Sequence, residues 1–197
     1  MPAKQPYRAR LKASLIAAAQ KQITEHGLAA IQARGVAGAA ECSVGTLYNI
    51  FGDIDGLIMA VAEGTLHAMS EVLTAAARRL APGKLETRLM GLATAYLDFA
   101  TINHRRWRAV FDHQWPEDRP LPERYAADRG HLLALLEAQL AEAIPDPEAR
   151  SDAANALFAA VHGIVLLALD AKLGPFEPGR CERRIAFVVG HVVRGLG

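Results

Sequence analysis

Apolar residues recur at helical spacing through nearly the whole of this chain, and no run alternates β-branched and aromatic residues with period two. That pattern argues against a sheet-based core and predicts an all-α fold. Leu11, Leu15, Ile16, Ala19 and Ile23 mark a first helix that ends at Gly27, where a left-handed C-cap is easiest for glycine. Two brief helices are expected over residues 32–39 and 43–50, the second capped by the Ser43 hydroxyl. Asp53 can cap a longer helix, striped by Ile58, Val61, Ala62, Thr65, Met69 and Val72, that stops at Pro82-Gly83. This dipeptide is the best candidate for a domain boundary. Leu85, Leu89, Leu92, Tyr96 and Phe99 outline a fifth helix, and residues 104–113 a short aromatic sixth. Pro116, Pro120 and Pro122 make residues 115–123 a loop; Leu132, Leu136 and Leu140 then restore a helix until Pro145-Asp146-Pro147. The last two helices are expected over about 148–173 and 180–195.

With 197 residues, the chain is long enough for one domain or two small ones with a proper core, and its 51% hydrophobic and 22% charged residues argue against disorder. The longest apolar stretch, residues 156–169, is interrupted by His162 and Gly163 and falls short of the roughly 20 residues needed to cross a bilayer. The N-terminus carries charge but no apolar segment behind it, which argues against a secretory signal. Cys42 and Cys181 are too far apart in sequence for a disulfide framework or a CxxC metal site, so two reduced thiols in a cytoplasmic protein are expected, with no metal and no cofactor. The net charge of +1 is unevenly spread: the first 21 residues carry Lys4, Arg8, Arg10, Lys12 and Lys21 and no acid, which leaves the rest at −4. Such a basic arm suits a binder of phosphate backbone, and is also common in proteins that bind nothing.

Helix, tight turn and helix within residues 32–51, after that arm, suit a helix-turn-helix. In Ser43-Val44-Gly45-Thr46-Leu47-Tyr48-Asn49-Ile50-Phe51, Leu47 and Phe51 share one face for packing, while Ser43, Thr46, Tyr48 and Asn49 supply polar groups. Such a helix buries one side and offers the other to a DNA groove.

The stretch from Gly27 to Leu57 resembles the TetR-family DNA-binding domain, through Gly27, Val36-Ala37, Ala40, Ser43 and above all Gly45-Thr46-Leu47-Tyr48 followed by Phe51 and Leu57. The resemblance implies a three-helix DNA-binding domain over residues 9–69 and a helical ligand-binding and dimerisation domain over 83–197. Thr46 and Tyr48 are similar to the family's phosphate-binding residues, and Gln32, Arg34, Val44 and Asn49, with Ser43, lie where its groove or backbone contacts are made. Ser43 also reads as a cap alone, Arg34 as a solvated charge and Tyr48 as a half-buried packing residue. Three positions depart from the family: Glu41 stands where glycine is usual in the turn, Ile50 where histidine precedes the phenylalanine, and Ile54 where a phosphate-contacting lysine often opens the next helix. Glu41 brings a negative charge near the expected DNA surface.

Most aromatic residues follow Pro82, and Tyr96, Trp107, Phe111 and His162 are the candidate contacts of an apolar small-molecule effector. The same scatter of aromatics also describes a plain helical core. Phe158-Ala-Ala-Val-His162-Gly163 is similar to the His-Gly signature of one class of TetR C-terminal domains. Ile185, Val188, Val189, Val192, Val193 and Leu196 form a broad stripe, and with residues 156–169 they are expected to meet a second copy of the chain.

The reading is therefore a ligand-responsive DNA-binding transcriptional regulator, a repressor released from its operator by an apolar molecule. Two rivals remain. For an enzyme, Glu41-Cys42-Ser43-Val44-Gly45 approaches the nucleophile elbow G-x-S-x-G but lacks its first glycine and any preceding strand, so no catalytic residue is assigned. The other is a helical ligand-binding or interaction module that has lost DNA binding, for which Glu41 and Ile54 argue.

Overall fold

The computed structural model describes residues 4–196, with side chains from Tyr7 onward. Among them it is helical without strands, as expected: α1 (Lys4–His26), a 3₁₀ turn (Leu28–Ala30), α2 (Ala33–Ala39), α3 (Val44–Phe51), α4 (Ile54–Leu80), α5 (Leu85–Ile102), α6 (His104–Asp112), α7 (Glu123–Leu140), α8 (Pro147–Leu169) and α9 (Pro178–Gly195). The cationic residues near the N-terminus do not form a separate arm, because Lys4 already lies within α1. Lysine, arginine and alanine are good helix formers, and they carry the helix past the apolar stripe that marks it.

The chain divides into two compact units. One holds the residues up to His67 together with Asn103–Tyr125; the other holds Ala68–Ile102 and the residues from Ala126 onward. This division falls inside α4 rather than at Pro82-Gly83, and it assigns α6 and the following loop to the first unit.

In the first unit, Leu15, Ala19 and Ile23 of α1 recur every four residues and bury one face against Val36 of α2, Leu47 of α3 and Leu57 of α4. Each of these leucine, isoleucine and valine side chains stabilises the unit by about 1.5–3 kcal/mol relative to exposure. Helix α6 packs against α1, and Arg105 donates hydrogen bonds to the Thr24 and Glu25 carbonyls at the C-terminal end of α1. These carbonyls have no partner within α1, so a cation there satisfies them and meets the negative end of the helix dipole. The loop after α6 is tied to the start of α4 by Arg119 and Asp53 at 2.6 Å, and the Tyr125 hydroxyl donates to the Val110 carbonyl at 3.2 Å.

In the second unit α8 and α9 pack on each other and on α5. Ile185 and Val189, read from sequence as part of a face offered to a second copy, are buried within the unit itself. The stripe was real, but its centre is used by the chain's own core. The outward side of α9 is marked instead by Phe187, 66% exposed, and that of α8 by Leu167, 41% exposed.

Candidate functional site

Helix α3 starts at a well-made cap. The Ser43 hydroxyl oxygen accepts the Thr46 backbone N–H at 3.1 Å and lies 2.9 Å from the Thr46 hydroxyl, which satisfies one of the helix's otherwise unpaired donors. The helix stops at Gly52, φ 85, a left-handed conformation that a side chain would strain. Four residues on, a Cβ at Gly56 would come within 2.1 Å of the Phe51 carbonyl oxygen, so the close approach of α4 to the end of α3 requires glycine. Asp53 caps the new helix by accepting the Gly56 N–H at 2.8 Å. This hydrogen bond, with the Arg119 guanidinium, holds the Asp53 carboxyl below its ordinary pKa against the opposing effect of burial.

Between these caps α3 has two faces. Leu47 is fully buried, and Val44, Ile50 and Phe51 pack partly against the same core. Gly45, Tyr48 and Asn49 lie on the exposed side, beside Ser43. Tyr48 is 42% exposed. Gln32 and Arg34, at the beginning of α2, are also exposed. Of the residues expected to contact DNA, the structure thus presents Gln32, Arg34, Ser43, Tyr48 and Asn49 to solvent. Thr46 is half-buried and bonded to Ser43, and Val44 leans into the core.

Two cations of the basic N-terminal stretch adjoin this surface. Arg8 donates to the Asn49 carbonyl at 3.3 Å, and the Lys12 ammonium sits 5.9 Å from the centre of the Phe51 ring. Both act at the C-terminal end of α3, where positive charge is favourable. The available signal was their i, i+4 spacing on one face of α1. Gln22 of α1 reaches α2 in the same way, its side-chain oxygen accepting the Gln32 N–H at 3.2 Å.

The second unit contains a small apolar cavity of about 70 Å³ that opens to solvent. Its walls are almost entirely aliphatic, with leucines from α4, α5, α7 and α8, and Tyr96 and Phe158 as its aromatics. The Tyr96 hydroxyl lies 2.6 Å from His162 Nδ1, and the Tyr96 and Phe158 rings meet edge to face at 6.0 Å. No charged side chain lines the space. The four expected ligand contacts therefore separate: Tyr96 and His162 stand together in the second unit, whereas Trp107 and Phe111 pair with each other in the first, with ring centres 5.4 Å apart. Trp107 is fully buried, and of the four only Tyr96 lines the pocket, with His162 behind it.

Comparison with known proteins gives this geometry a context. Residues 15–61 match the family described as bacterial regulatory proteins, tetR family, and residues 89–192, more than half of the chain, match the tetracyclin repressor-like C-terminal domain. The latter match spans Phe158–Gly163 and does not specify the His-Gly class expected there. The HTH-type transcriptional regulator BetI of Burkholderia thailandensis is 30% identical over 171 residues, covering 84% of this chain and 85% of that protein. Its Burkholderia cenocepacia counterpart is 29% identical over 185 residues, with 91% and 90% covered. The fold is shared with a Rhodococcus sp. protein, TM-score 0.74 at 22% identity over 94% of each chain. It is also shared with the transcriptional regulator FadR of Bacillus subtilis, solved in complex with stearoyl-CoA, TM-score 0.68 at 14% identity over 90% of this chain and 96% of that one. A capped recognition helix with one buried and one polar face, followed by a matching helical C-terminal part, leads to one conclusion: this chain belongs to the TetR family and is a ligand-responsive, DNA-binding transcriptional regulator.

Proposed function

We propose that this regulator is a cytoplasmic repressor without enzymatic activity, which reads a double-stranded operator as a dimer and is released when a neutral, apolar effector fills the pocket of its second unit. The exposed polar face of α3, secured by Ser43 over the buried Leu47, is the observation that carries the reading. In this account residues 9–69 are the DNA-binding domain, and residues 83–197, with Leu73 of α4, bind effector and partner. Thr46 and Tyr48 hold phosphate, Gln32 and Arg34 approach the backbone beside the groove, and Asn49, with Ser43, faces base edges; Val44, which leans into the core, leaves the list of contacts. The match of residues 15–61 to a DNA-binding family disfavours a module that has lost its reader.

The pocket's chemistry supports the effector class. Leucine walls favour hydrocarbon through burial of apolar surface, and the absence of a lining charge disfavours an ammonium or carboxylate group within it. The Tyr96 hydroxyl, oriented by His162, is the one polar group at hand to orient a neutral ligand. Trp107 and Phe111 leave the list of direct contacts on this reading. Helix α4 gives the effect a covalent route, since its residues to His67 belong to the first unit and those from Ala68, including the pocket residue Leu73, to the second. An effector that binds the DNA-incompetent conformation tenfold more tightly supplies about 1.4 kcal/mol of coupling, within the usual allosteric range.

Two copies are proposed to meet through α8 and α9. An 18-residue window of α8 has a mean hydropathy of 1.7, yet only 28% of it is buried in one protomer, and the exposed Phe187 and Leu167 lie on these two helices. A partner covers such surface in a symmetric dimer and sets two recognition helices about 34 Å apart, or wider on bent DNA.

Calorimetric titration with 1-decanol, decanoate and decylammonium, paired with operator-release assays, tests the sensing claim. The alcohol is expected to bind and to release the operator, and Tyr96→Phe to weaken it. Saturable binding that never shifts the DNA complex would contradict the sensing mechanism.

A further inference from the structure

We propose that Glu41 limits the affinity of this regulator for all DNA: it stands in a left-handed turn two residues before Ser43, the cap of α3, and its negative charge repels phosphate. The proposal rests on α3 being the DNA reader. Helix α2 closes with two hydrogen bonds, Glu41 N–H to the Gly38 carbonyl at 3.1 Å and Cys42 N–H to the Ala37 carbonyl at 2.9 Å. This arrangement requires a positive φ at the residue between helix and exit, and Glu41 adopts φ 53. Glycine fits there without strain; glutamate brings a Cβ too close to the backbone and destabilises the turn.

The side chain does nothing visible to offset that strain. Among the described acids between residues 15 and 67, Glu25 lies by Lys21, Asp53 by Arg119, Asp55 by His113 and Glu63 by Arg124. Glu41 is exposed and has no ion pair or side-chain hydrogen bond. Its charge is therefore neither neutralised nor used in folding. Two residues of chain span at most about 7 Å, so Glu41 stays close to Ser43, the cap of α3. A phosphate held at Thr46 then lies on the order of one Debye length from the carboxylate, about 10 Å at 0.1 M salt, where repulsion is only partly screened. A strained, unpaired acid beside the reader opposes the attraction supplied by Arg8, Arg34 and the other cations of this unit. It makes binding weaker and easier to reverse.

Two substitutions in the full chain separate charge from strain. Glu41→Gln removes the charge and keeps the backbone requirement; Glu41→Gly removes both. Affinity for a random-sequence duplex and for a selected operator is measured from about 50 to 300 mM NaCl, beside thermal melts. Glu41→Gln is expected to tighten both complexes about two- to fivefold at the lowest salt, with the gain fading as salt rises, and to leave the melting temperature nearly unchanged. Glu41→Gly is expected to give a similar gain and a higher melting temperature. Equal affinities of wild type and Glu41→Gln at low salt would overturn the proposal while leaving α3 as the reader; a gain that persists at high salt would also overturn it, because it would not be coulombic. If folded wild type binds neither duplex, the DNA-reading assignment fails first and this proposal with it.

Discussion

Tyr48 is the residue at which the DNA-reading assignment is most exposed to test. Its neighbour Leu47 holds α3 to the core, so Tyr48→Ala is expected to leave the fold intact while weakening operator and random duplexes alike by about 1–2 kcal/mol, the loss of a hydrogen bond to phosphate. Anisotropy titrations beside thermal melts check this, and unchanged affinity in a folded variant would reduce Tyr48 to surface packing. His113 offers a pH test. Burial pushes its imidazole pKa below the ordinary 6.5, against the opposing pull of Asp55 and then Asp53. The unfolded chain therefore takes up this proton first as pH falls, and the stability contributed by the neutral ring declines below pH 6.5 toward the lower folded value. Melts of wild type and His113→Gln from pH 7.5 to about 5 should show a shallower decline in the variant; parallel curves would mean that His113 carries no linkage. Single residues were legible in the sequence where the chemistry is local. The Ser43 cap needs only residues 43–46, and the missing glycine at Glu41 marked the one turn between α2 and α3 that is strained. Val189 was not legible, since a stripe does not say whether it meets its own core or a partner.

At the level of elements, α3 depends on its ends, because eight residues are too few for a helix to be stable alone. Ser43→Ala removes the N-cap and is expected to destabilise the first unit by about 1 kcal/mol. The loss should appear in both melting and DNA affinity, and an unchanged melt would show the cap to be dispensable beneath the packing of Leu47. Helix limits could be read because glycine, proline and capping side chains sit at the breaks: α1 ends before Gly27, α8 begins at Pro147 and α9 at Pro178. The end of α8 ran past its true limit, Leu169, because Ala171 adopts φ 54 without the glycine that usually signals such a cap. The contacts of Arg8 and Lys12 with α3 were invisible for another reason: they join residues about 40 positions apart, beyond the reach of helical periodicity.

For the whole molecule, sequence pattern conveyed the fold class but not the division into units. Residues 103–125 join the first unit through Arg105 on α1, Arg119 on Asp53 and Ala109 in the core, and none of these partners is close in sequence. Association is tested at this scale too. Because Val189 is 1% exposed and lines the pocket, charging it would damage the protomer; Phe187→Glu and Leu167→Glu are the informative variants. Sedimentation is expected to give a dimer for wild type and monomers for the variants, with operator affinity lost in parallel, whereas a wild type monomeric at micromolar concentration would contradict the assembly. The most direct test of the central claim is the ratio of the full chain's affinity for a duplex selected from a random pool to its affinity for random DNA, at one physiological salt concentration. A sequence-reading regulator predicts a ratio of about 10³ or more, falling when Asn49, which is assigned to base edges, is replaced with alanine; a ratio near one in the wild type would contradict it.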